Sequence, residues 1–208
     1  MWFSFLTNIL TLLLGVILYL SFKGPLINRY LGLFILWTGI SSGIAAFGHL
    51  EILPINVQRY LLVLSRILNV LSIFFFAYGS LQSFGYSKNK KIRVLTNGVF
   101  ALSMIWLIYW NMKLPGAKAS FLPVIIYGII GMVLIGAVSF VMNLKVNKGA
   151  HGRVLLGVLL IAVSAVVFKV IPEESGMKPS DMSHVLIALA LVFMTSGFKK
   201  MKLNEIYK

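Results

Sequence analysis

Residues 121–143 read FLPVIIYGIIGMVLIGAVSFVMN, a run without a single Asp, Glu, Lys or Arg. About 20 predominantly apolar residues in a helix cross the hydrocarbon of a bilayer, so this stretch is a membrane span. The rest of the chain repeats it. Breaking the sequence at its clusters of Lys, Pro, Asn and Gly gives seven such runs, at residues 3–22, 30–49, 57–84, 92–110, 121–143, 154–171 and 181–198. The connections, KGPLINR at 23–29 and NMKLPGAK at 111–118 among them, are short and rich in turn formers. Residues 1–208 therefore read as one all-α domain, a bundle of seven transmembrane helices. The third run is longer than a bilayer requires, so it tilts or extends past the interface.

Composition agrees with this reading. Of 208 residues 59% are apolar and 12% charged, with a mean hydropathy of +0.94, whereas a soluble domain carries roughly 25% charged residues. Nothing is left over for a separate soluble unit. The first run lacks a basic leader and a small-residue cleavage pattern, and it is read as a retained span. The absence of cysteine excludes disulfides, thiolate metal sites and cysteine nucleophiles.

The net charge of +14 is mostly topological. Lys23, Arg29, Lys88, Lys90, Lys91, Arg93, Lys145, Lys148, Arg153, Lys199, Lys200, Lys202 and Lys208 fall on one side of the seven runs. Arg59, Arg66, Lys113, Lys118, Lys169 and Lys178 fall on the other, with Glu51, Glu173, Glu174 and Asp181 beside them. The positive-inside rule makes the first side cytoplasmic, with the N-terminus outside and the C-terminus inside. The expected location is the bacterial plasma membrane. The juxtamembrane runs at 88–93 and 199–202 suit anionic lipid headgroups. They lack the interleaved aromatics on a soluble face that nucleic acid would want. Trp2, Trp106, Tyr109, Trp110 and Tyr207 sit near span ends and read as interfacial anchors.

Ionisable groups inside spans are costly and mark functional sites by default. Here they are His49 with Glu51 just beyond it, Arg66, Lys169, Asp181 and His184, and chain direction puts all six in the extracytoplasmic half. Residues three, four or seven apart share a helix face. Thr38, Ser42, Ala45 and His49 form one stripe, beside the small-residue segment GISSG at 39–43. Arg59, Arg66 and Asn69 form a second, and Asp181, His184, Ala188 and Thr195 a third. The three stripes are expected to converge, with His49, Arg66, Asp181 and His184 lining one cavity. A guanidinium at depth costs ~2.5–3.5 kcal/mol, so Arg66 is expected to pair with a carboxylate, Glu51 or Asp181. Asp181 also suits a helix first turn. His151, in KGAHGR at 148–153, reads as a solvated loop residue.

The Gly48-His49 pair closing the second span, the LGVLL segment at 156–160, and the seventh span opening Asp181-Met-Ser-His184 and closing at Gly197 carry a resemblance. The pattern resembles an uncharacterised family of bacterial seven-helix membrane proteins. That family looks like a distant relative of the superfamily of alkaline ceramidases and progestin/adipoQ receptors. The resemblance implies a metal-dependent amide or ester hydrolase, with zinc on one second-span and two seventh-span histidines and a serine and an aspartate assisting. His49 and His184 match two of those histidines. Ala45 stands where the serine is expected, Ser180 and Ala188 flank His184 at four residues, and residues 57–84 contain no carboxylate. A third zinc ligand would come from Asp181 or Glu51.

Several readings stay open. The first is a binder, transporter or sensor for a lipid headgroup or small anion, with Arg66, Asn69 and Lys169 as ligand-binding residues. The second is a metal-dependent lipid hydrolase, with His49, Asp181 and His184 on zinc and Glu51 and Ser42 as catalytic candidates. A third is a haem protein with His49 and His184 as axial ligands, and a fourth a structural subunit.

Overall fold

The computed structural model describes residues 2–22, 29–113, 121–170 and 179–201. Seven helices in it are long and apolar enough to cross a membrane, and the described residues contain no strand. They are α1 (Trp2–Leu20), α2 (Arg29–Gly48), α3 (Ile55–Ser83), α4 (Lys90–Lys113), α5 (Leu122–Met142), α6 (Lys148–Val170) and α7 (Pro179–Lys200). The chain is an integral membrane protein by this architecture. Gly85, with φ of 75°, takes the left-handed turn that ends α3 and leads through a short 3-10 turn into α4.

The packing is an alternating up-and-down bundle. Phe5 stacks edge-on to Phe47, and Gly15 meets Gly39, so α1 and α2 are antiparallel. Leu31 lies against Gly79 and Leu62 against Gly48, which makes α2 and α3 antiparallel as well. Ile73 seats on Gly131 and Phe76 on Gly136, so α3 and α5 run parallel. Asn8 meets His184 near one end and Phe22 meets Phe198 near the other, and α7 runs parallel beside α1. That contact closes the ring. The end carrying the start of α1 is called the N-terminal end below.

Small residues let the helices approach. A Cβ on Gly39 would lie 3.0 Å from Gly15 Cα, backbone against backbone. Lipid tails are as apolar as leucine, so helices associate through such close packing and through polar contacts. Toward the opposite end, Phe34, Phe76, Phe140 and Phe198 are fully buried and form an aromatic core, with Phe76 stacked on Phe140 at a centroid distance of 6.0 Å. Where Ile73 and Phe76 press into the small residues of α5, that helix is π-helical from Ile129 to Ala137. Such segments are rare and usually a single turn.

Two sequence expectations change here. α6 begins at Lys148 rather than near Val154, and this extra helix carries His151 indoors. His151 is 1% exposed and packs edge-on to Phe84 and Phe140 at 5.3 and 5.6 Å. Its Nδ1–H donates to Asn143 O at 2.7 Å. It is a core histidine tying α6 to the end of α5, not a solvated one.

Candidate functional site

α1 contributes the polar face that the sequence stripes had not included. Ser4, Thr7, Asn8 and Thr11 are all buried, and at spacings of three and four they share one side of the helix. Thr7 donates to Ser4 O at 3.1 Å and Thr11 to Thr7 O at 2.8 Å, so both hydroxyls are satisfied within α1. Asn8 differs. Its Nδ2 donates to Ser4 O at 2.9 Å and lies 3.3 Å from His184 Nδ1 on α7, while its Oδ1 is buried with no hydrogen-bond partner.

His184 is the hub of this group. Asp181 precedes it by three residues on α7, one turn away on the same face. Asp181 is buried, 2% exposed, and accepts from Ser180 Oγ at 3.3 Å. His49 stands exposed in the turn that ends α2, its N–H donating to Ala45 O at 3.1 Å. His49, Asp181 and His184 thus lie at the same end of the bundle, and Asn8, which the sequence stripes had not included, contacts His184 there.

The described partners of Arg66 lie elsewhere. Ser65 faces α2, and the next residue, turned 100° around α3, faces α4 and α5. There the Arg66 Nη1–H donates to Asn111 Oδ1 at 2.9 Å, and the guanidinium stands 5.8 Å from the Phe121 ring centroid. Asn111 Nδ2 is anchored on Leu107 O at 2.8 Å. Of the two carboxylates expected near it, Glu51 is exposed beyond α2 and Asp181 lies in the first turn of α7, beside Ser180 Oγ. Arg66 itself is buried, 9% exposed. The residue before Asn111, Trp110, has a buried indole N–H without an acceptor.

The remaining candidates disperse. Ser42 is buried on α2, Asn69 is half-buried with its carbonyl accepting from Ser72 Oγ at 2.8 Å, and Glu51 is exposed. The side chain of Lys169 lies outside the described residues, as do Glu173, Glu174 and Lys178.

The zinc set that the superfamily resemblance implies finds no support among the described residues. Among the described residues no three His, Asp or Glu come together as a metal-binding group, and His184 Nδ1 faces an amide nitrogen. A catalytic zinc wants three protein ligands and an open position. No curated protein and no solved structure matches the chain. A family model, by contrast, matches residues 3–203, and on that match the chain belongs to the family of unknown function DUF6962.

Proposed function

We propose that this protein is a non-catalytic binder whose Arg66 holds an anionic group, a lipid phosphate or a small oxyanion, inside the extracytoplasmic half of the membrane. The orientation in this reading follows from the basic residues, most of which cluster at the end where α7 finishes. A reporter fused after Lys208 then lies in the cytoplasm. The same basic residues, Lys88, Lys90, Lys91, Arg93, Lys199 and Lys200, face anionic lipids of the inner leaflet.

The observation that carries the reading is a buried guanidinium aimed by a neutral carboxamide. Asn111 accepts from one arm of the Arg66 fork and Phe121 covers its face. A planar guanidinium matches carboxylate and phosphate geometry through paired N–H donors. The unaccepted indole N–H of Trp110 on the same turn of α4 adds donor character at this end of the helix.

The test is thermal unfolding of the purified protein with inorganic phosphate in one arm and phosphatidylglycerol against phosphatidylcholine in the other. Stabilisation by either anion, lost in Arg66→Gln, supports the site and identifies its source. An equal response in Arg66→Gln, or none in the wild type, overturns it.

A further inference from the structure

The α1–α7 seam carries chemistry of the opposite sign to Arg66. Asp181 is a buried carboxylate whose hydrogen-bond donor is Ser180 Oγ at 3.3 Å. Asn8 is 0% exposed and its Oδ1 has no partner. His184 joins the two, being one turn from Asp181 on α7 and 3.3 Å from the Asn8 amide. The seam thus presents acceptors in excess of donors. Burying an unpaired acceptor costs about 1–3 kcal/mol, and an uncompensated buried charge costs more. The first-turn position of Asp181 lets the α7 dipole offset part of that charge, but it supplies nothing to Asn8.

We infer that the Asp181–Asn8–His184 cluster is a binding site for a primary ammonium group. Asp181 supplies the counter-charge and Asn8 Oδ1 a fixed acceptor. An ammonium offers three N–H donors and no acceptor, which is what such a seam lacks. A metal ion would want a third ligating side chain that the described residues do not bring there. The outward faces of both helices are apolar, with Leu6, Leu10, Val185 and Leu189 exposed, so lipid lies directly alongside the site. The ammonium therefore comes either from a free amine or from an ethanolamine headgroup. The site shares no residue with Arg66 and stands or falls separately.

The experiment uses the full chain in detergent micelles and reads its unfolding temperature. Methylammonium chloride is compared with tetramethylammonium chloride at equal ionic strength, and phosphatidylethanolamine with phosphatidylcholine, whose quaternary nitrogen has no N–H. Near saturation the primary-amine probes should raise the wild-type midpoint by about 3 °C, and the quaternary ones should not. Asp181→Asn and Asn8→Leu should lose this difference, while Asp181→Glu keeps part of it and Arg66→Gln keeps all of it. A response to the free amine alone assigns a small-molecule site, and one to the lipid alone a headgroup site. Equal responses to primary and quaternary probes, no response to either primary probe, or full retention in Asp181→Asn would overturn the inference and leave Asp181 as a helix-terminal acid.

Discussion

Ser41 and Ser65 exchange hydrogen bonds across the α2–α3 interface: each Oγ donates to the other's backbone carbonyl at 2.9 Å, and the two hydroxyl oxygens are 3.1 Å apart. The pair sets the rotation of α3, and with it the direction of Arg66. Hydrogen bonds between membrane helices average about 0.6 kcal/mol and reach about 1.7. A double-mutant cycle of Ser41→Ala and Ser65→Ala, followed by reversible unfolding in micelles, should give a coupling within that range. Purely additive losses would mean that the two serines act independently.

Asn111→Leu removes the oriented acceptor of Arg66 and should destabilise the protein by about 1.5–3 kcal/mol, as for hydrogen bonds to charged groups. Arg66→Lys should not restore anion binding, because an ammonium lacks the planar fork that Asn111 directs. Denaturant titration measures the first effect and the phosphate-dependent melting shift the second.

The α1–α2 crossing should be intolerant of a single methyl. Gly39→Ala pushes a Cβ against Gly15 Cα at 3.0 Å and against Leu12 O at 3.2 Å. Backbone cannot step aside as a side chain can, so a cost of about 1–3 kcal/mol is expected. Gly98→Ala is the contrast. Nothing lies within 4 Å of its Cβ position on α4, and the gain in helix propensity should stabilise by roughly 0.5–1 kcal/mol. Melting temperatures of the two variants should therefore move in opposite directions.

His151→Ala should cost about 2–3 kcal/mol, in the range of a buried ring lost from a core. It opens space between Phe84 and Phe140 and frees the Asn143 carbonyl. Lys148→Ala, three residues earlier and exposed, should leave the melt unchanged. Comparable melts for the two variants would return His151 to the solvated role its loop-like sequence suggested.

The spans were legible because hydropathy alone decides which segments a bilayer accepts, and each helix begins and ends close to its apolar run. α6 was the exception. Its first turn, KGAHGR, is polar enough to resemble a loop, but Asn147 Oδ1 accepts the Ala150 N–H at 3.1 Å as a helix cap, and packing against Phe84 and Phe140 keeps His151 dry. That His49, Asp181 and His184 lie at one end of the bundle could be read from chain direction. Asn8 could have been read the same way, since Ser4, Thr7, Asn8, Thr11 and Gly15 make one face of α1. A stripe of neutral polar residues carries no desolvated charge to mark it, as an ionisable residue in a span does. The contact of Arg66 with Asn111 was out of reach for a different reason. Stripe membership says which side chains share a face, but the Ser41–Ser65 contact decides which neighbour that face meets.

The parallel contact of α1 with α7 bears on how this chain can be duplicated or fused. Neighbouring first and last helices that point the same way leave the two described ends of the bundle on opposite membrane faces. A short peptide cannot join them, so a circular permutant needs an added eighth span. A second copy appended directly after the first would enter the bilayer upside down, and such a tandem gene would encode an antiparallel pair rather than two aligned bundles.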